Sequence, residues 1–104
     1  MKTIQHYLSL PYPIRVEQVP EEDGGGFVAC IPLLGEHMFT GCGDTIAEAL
    51  RALADIAIDH FETLISSGAN IPEPSPDEDL PQNGTWIRIP ILSILEKLEY
   101  YGHA

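Results

Sequence analysis

The stretch "GCGDTIAEALRALADIAIDHF", residues 41–61, decides the fold, because it joins a glycine-bracketed turn to a long amphipathic pattern. Thr45 and Glu48 have the S/T-x-x-E spacing of a capping box. Asp44 places negative charge where a helix N-terminus favours it. Ile46, Ala49, Leu50, Leu53, Ala57, Phe61, Leu64 and Ile65 recur at helical spacing. They predict a helix over about residues 45–67 that buries one apolar stripe. Arg51, Asp55, Asp59 and Glu62 fall mainly outside the stripe. Gly68 is the expected C-cap, and Pro72 forbids continuation. Gly41-Cys42-Gly43 lacks the spacing of a dinucleotide fingerprint or a P-loop, and no Lys follows. These glycines are expected to permit a tight strand-to-helix corner. Anion binding at this helix start is opposed by Asp44.

On the N-terminal side, "YPIRVEQV" (12–19) alternates as a strand, with Ile14 and Val16 on one face and Arg15 and Glu17 on the other. "PEEDGGG" (20–26) is a turn, and "FVACIP" (27–32) is a strand apolar on both faces. A weaker third strand is expected over 36–41, and the short connections favour a meander. The fold class is therefore mixed α/β: a three-stranded antiparallel sheet with the long helix packed on one face.

On the C-terminal side, "IPEPSPDEDLPQNG" (71–84) carries four prolines and four acidic residues and reads as an extended linker. "TWIRIPI" reads as a short strand. Ser93 and Glu96 repeat the capping-box spacing before a short helix over 94–101. A strand and helix this short cannot bury Ile94, Leu95, Leu98 and Tyr101 alone, so they need the main domain or a second chain. The expected organisation is a domain over 1–76, an acidic Pro-rich linker over 77–84 and a strand–helix arm over 85–104.

Charge narrows the function. Sixteen acidic residues face five basic ones among 104, a formal net charge of −11. Phosphate backbones attract Lys and Arg, so nucleic acid is disfavoured as the main partner and a basic protein surface is favoured. His6, His37, His60 and His103 show no ligand spacing, so no metal or cofactor is expected. The acidic runs Glu21–Asp23 and Asp77–Asp79 lie in Gly/Pro-rich loops, where a solvated face is the default. Cys30 reads as a small packed residue, and no base accompanies Cys42 as a nucleophile would require. No catalytic constellation stands out, and no enzyme is expected. The opening "MKTIQHYLSL" lacks a long apolar region, and two free thiols suit a reducing compartment, so a cytoplasmic protein is expected.

The string "GFVACIP…GDTIAEAL…SSGANIPEPS" resembles the HicB-like antitoxin family over roughly residues 12–76. The matching positions are Phe27 to Pro32, Gly43-Asp44-Thr45, Glu48-Ala49-Leu50, Gly68 and Ile71 to Pro74. Between Pro32 and Gly43 the chain has "LLGEHMFTGC" where the commoner family form is "PDLPGC-x-x-x-GDT". The resemblance implies a partial ribonuclease H-like domain acting as the antitoxin of a type II toxin–antitoxin pair. It implies as partner a small basic HicA-like ribonuclease toxin, covered by the antitoxin. The expected contact surface is the sheet with its acidic rim, Glu17, Glu21, Glu22 and Asp23. Pro32, Gly43, Asp44, Thr45, Glu48 and Gly68 are read as structural.

Family members usually add a C-terminal DNA-binding module, and "NGTWIRIPILSILEKLEYYGHA" resembles the ribbon and first helix of a ribbon-helix-helix. No second helix is expected, and Arg88 is the one basic residue on this ribbon, so operator binding is not favoured. The arm is read instead as an oligomerisation element through Trp86, Ile87, Ile89, Leu95 and Leu98, giving a homodimer or larger homo-oligomer. Two alternatives stay open: a stand-alone oligomer without a toxin, and an autorepressor that binds DNA through the arm.

Overall fold

The computed structural model describes residues 2–75, 80–81 and 83–102, with residues 98–102 described in backbone only. The long amphipathic pattern forms α2, Ile46–Ser66. Thr45 caps it, its hydroxyl accepting from the Glu48 backbone N–H at 3.1 Å. The Glu48 carboxylate reaches back one residue further than an ordinary capping box, accepting from the Asp44 N–H at 2.8 Å. At the other end Gly68 takes φ +76. Its N–H donates to the Ile65 carbonyl and that of Ala69 to the Leu64 carbonyl, which closes a Schellman motif.

Four strands form one antiparallel sheet, where three were expected. They are β1 (Pro13–Gln18), β2 (Phe27–Cys30), β3 (Thr40–Gly43) and β4 (Thr85–Arg88), in the order β3-β2-β1-β4. The third strand thus begins later than the 36–41 reading. Residues 32–34 form a 3-10 turn, and Phe39 is buried as the Ile31 N–H bonds its carbonyl at 2.9 Å. Pairing within β1–β2–β3 follows the meander, with Arg15 opposite Cys30 and Val28 opposite Cys42. The fourth strand comes from the segment read as an arm: Ile14 pairs with Ile87 and Arg15 with Trp86.

The C-terminal segment is therefore part of the domain. After β4, α3 runs Ile91–Gly102, starting a turn earlier than expected. Pro90 supplies the carbonyl for the first N–H groups, of Ser93 and Ile94, so Ser93 lies inside the helix and caps nothing. Ile91 and Ile94 join the same core as Ile14, Val16, Phe39, Leu53 and Phe61. Of the apolar residues expected to need the main domain or a second chain, Ile94 is buried in the protomer's own core and Leu95 packs partly against it. Leu98 lies on α3 with its side chain outside the description, and the linker reading of 77–84 falls partly outside the described residues.

A short helix α1, Ile4–Leu8, was not legible in the sequence. It packs on α2 by stacking Tyr7 on Phe61, with ring centroids 5.5 Å apart. Tyr12 then ties the start of β1 to the segment leaving α2, its hydroxyl donating to the Pro72 carbonyl at 2.7 Å. Burial pushes the Tyr12 hydroxyl's pKa well up, so it remains a donor at ordinary pH. Lys2 and His6 both reach Glu73 beside it. We expect Tyr12→Phe to cost about 1 kcal/mol, read as a lowered midpoint in urea unfolding at unchanged slope. An unchanged midpoint would show that this tie contributes nothing.

β3 runs directly into α2 as expected, but the glycines of the opening stretch serve the close approach of the two elements and not the backbone conformation of the turn. Neither Gly41 nor Gly43 has positive φ. Both point inward on β3, directly beneath α2. A Cβ at Gly41 would stand 2.7 Å from the Ala52 carbonyl carbon and 2.8 Å from the Ala49 oxygen, and closer still to the Leu53 nitrogen. One at Gly43 would stand 2.8 Å from the Ala49 nitrogen. Ala49, Ala54 and Ala57 complete the fit from the helix side, all fully buried. Ile46, counted in the apolar stripe, stands 41% exposed at the helix start.

Candidate functional surface

Strand alternation divides the sheet into two faces. Ile14, Val16, Ala29, Gly41, Gly43 and Ile87 point to the core and the helices. Pro13, Arg15, Glu17, Val28, Cys30, Thr40, Cys42, Trp86 and Arg88 point the other way, by the register of the three ladders. α1 and α3 both pack against α2, so the helices share one side. Among the described residues no α-helix packs on the second face; the 3-10 turn Pro32–Leu34 folds over part of it and Cys30 is buried there, and the remainder is the candidate interaction surface.

The charged part of this face centres on Arg15. Its guanidinium donates to Glu36 at 2.8 Å and lies 2.9 Å from Glu17. The hydrogen bond to Glu36 holds Arg15 protonated beyond its ordinary range. Arg15 is thereby flanked by two carboxylates, and the acidic rim dominates. Glu21–Asp23 form a 3-10 turn at the β1–β2 connection, and Glu17, Glu21, Glu22 and Asp23 are all exposed. The four expected contact residues therefore occupy one end of the sheet, Glu17 on the strand and the others on the turn. Glu36 extends the same charge across the face, a residue that sequence reading missed because it sat in an apparent strand.

At the opposite end of β1 the face is apolar. A groove of about 340 Å³ opens there. Pro13 of β1 and Trp86 and Arg88 of β4 form its floor. Pro32 and Leu33 of the 3-10 turn wall one side, and Pro74, Leu80 and Pro81 wall another. Trp86 gives its indole N–H to the Asn83 carbonyl at 2.8 Å, which fixes the ring. Leu33 is 44% exposed. The residue-level signal is four prolines, of which Pro74 and Pro81 read as linker, Pro32 as a structural strand end and Pro13 as part of a strand.

The remaining predicted positions divide as follows. Pro32 opens the 3-10 turn and lines the groove, while Gly43, Asp44, Thr45, Glu48 and Gly68 serve the junction and caps of α2. Ile87, Ile89 and Leu95 are half-buried against the protomer's own core, and Trp86 faces the groove. Among the described residues β4 ends the sheet, so its outer backbone edge is available to another strand. Cys30 is buried, and burial pushes its thiol up, whereas Cys42 is exposed. Among the described residues no group of three or more His, Cys, Asp or Glu is placed to hold a metal ion, and no helix is long and apolar enough to cross a membrane. No protein-family model matches the chain, and no curated protein matches it in sequence.

Proposed function

We propose that this chain is the antitoxin of a type II toxin–antitoxin pair, a stoichiometric protein inhibitor of a small basic ribonuclease. One observation carries the proposal: a sheet face on which no described α-helix packs, bordered by Glu17, Glu21, Glu22, Asp23 and Glu36. The chain as a whole carries a net charge of −11, and this acidic border attracts a basic surface and repels a nucleic-acid backbone. The HicB-like pattern at Gly43-Asp44-Thr45 and Ile71 to Pro74 supplies the family, and with it the partial ribonuclease H-like character of the domain. The chain acts by covering its partner and performs no chemistry of its own. It works in the cytoplasm, where its partner would cleave RNA.

A homo-oligomer belongs to the same proposal, now through the free edge of β4. An autorepressor role is less favoured, because β4 is engaged as a sheet strand beside β1 and is not an independent ribbon. The decisive experiment is recovery of the tagged chain from its native cells. A small basic protein in equal amount, whose ribonuclease activity falls when this chain is added back, establishes the reading. Recovery of the chain alone, as a homo-oligomer, overturns it. Reversing the charge of Glu17, Glu21, Glu22 and Asp23 together is expected to slow association about tenfold or more at low salt, with dissociation little changed. Unchanged association kinetics would remove these four from the contact.

A further inference from the structure

We propose that the proline-walled groove takes an aromatic or leucine anchor side chain from an extended segment of a basic partner protein. This rests on the antitoxin reading for the partner's charge and adds where, and by what side chain, the partner is held. Three observations support it. The first is shape: Pro13, Pro32 and Pro74 line the groove with little rotamer freedom to lose, and Trp86 offers a ring already locked by Asn83. Rigid aromatic platforms of this kind are typical binding hot spots. The second is exposure, since Leu33 stands 44% open at the mouth.

The third is charge, which selects the occupant. The face beside the groove and its adjoining turn carry Glu17, Glu21, Glu22, Asp23 and Glu36 against Arg15 and Arg88. A second copy would bring a charge of −11 against −11. A basic polypeptide meets complementary charge. The geometry also sets a spacing. Pro13 lies at the groove end of β1 and Gln18 at the acidic end, a rise of about 17 Å in an extended strand. An extended partner segment therefore needs its anchor and its basic cluster some five or six residues apart.

Trp86 is the only tryptophan in the chain, so its fluorescence reports on the groove and on the β4 strand that carries it. The probe is the end-blocked peptide Phe-Ser-Gly-Ser-Gly-Ser-Lys-Lys-Lys, titrated into the full chain at low salt. Saturable change in Trp86 emission is expected. Replacing the peptide's Phe by Ser, or its three Lys by Glu, should each weaken binding on the order of tenfold. Leu33→Ser in the protein should do the same, with an unchanged far-UV spectrum. No saturable change with the first peptide overturns the proposal, as does an equal response to the Glu peptide or to Leu33→Ser protein. A shift in Trp86 emission on raising the chain's own concentration that Leu33→Ser abolishes also overturns it, because a second copy would then fill the groove and not merely pair along the β4 edge. If a ribonuclease partner binds while the peptides do not, the groove fails and the antitoxin reading stands. If the peptides bind but no such partner is recovered, the antitoxin reading fails and the groove stands.

Discussion

Gly41→Ala should lower the melting temperature by about 12–24 °C, a loss near 3 kcal/mol for a domain of this size. The cause is one methyl group with nowhere to go. Its neighbours would be the backbone of α2, the Ala49 oxygen at 2.8 Å and the Ala52 carbonyl carbon at 2.7 Å, with the Leu53 nitrogen nearer still. Side chains can rotate away from an intruder; a helix backbone cannot. To restore contacts of about 3.5 Å the helix must lift by about 1 Å over β3, loosening the packing of Ala49, Leu53 and Ala57 together. Gly68→Ala is the natural control. Its Cβ would meet nothing within 4 Å, but φ +76 is left-handed, so about 1 kcal/mol of backbone strain is expected. Thermal melts followed by circular dichroism separate the two. If Gly41→Ala melts no lower than Gly68→Ala, close approach is not why this position is glycine.

The same pair of residues shows what the sequence makes legible. Gly68 was readable because a helix C-terminus has a local signature: a periodic run, a glycine, then a proline. The Thr45 cap was readable for the same reason, since all its hydrogen bonds close within four residues. Gly41 was identified as structural but for the wrong cause. Its constraint comes from Ala49 to Leu53, across a layer of the fold, and no local pattern distinguishes a corner glycine from one lying beneath a helix. The last strand was legible as a strand, but its place in the sheet was hidden similarly. Its partner β1 lies far back in the chain, so Thr85–Arg88 looked like a free arm. The 3-10 turn at Pro32–Leu34 and the buried Phe39 turned an expected strand into a loop that folds over one end of the sheet. The acidic rim was legible residue by residue, whereas the groove was not, because four separate segments meet to make it.

A chain ending at residue 84 should fail to fold cooperatively, the second large effect expected. Were residues 85–104 a separate arm, truncation would leave the rest intact. In this topology it removes β4 from the flank of β1 and exposes Ile14 and Val16 along a bare edge. It also takes Ile91 and Ile94 out of the core, at 0% and 2% exposure, with half-buried Ile87, Ile89, Leu92 and Leu95. Each fully buried isoleucine is worth about 2–5 kcal/mol when cut to alanine, and the partly buried four add to that. The total reaches the roughly 5–15 kcal/mol by which small domains are stable at all. Ile91→Ala alone calibrates the scale. It should cost about 3 kcal/mol yet leave a cooperative melt, while the truncated chain shows a broad, non-cooperative loss of near-UV signal. A truncated chain that melts sharply at the full-length temperature would restore the separate arm, and β4 would then be free to pair with another copy. A truncated chain without a sharp transition means that the proposed interaction face exists only when the C-terminal strand is in place, because Trp86 and Arg88 line its groove.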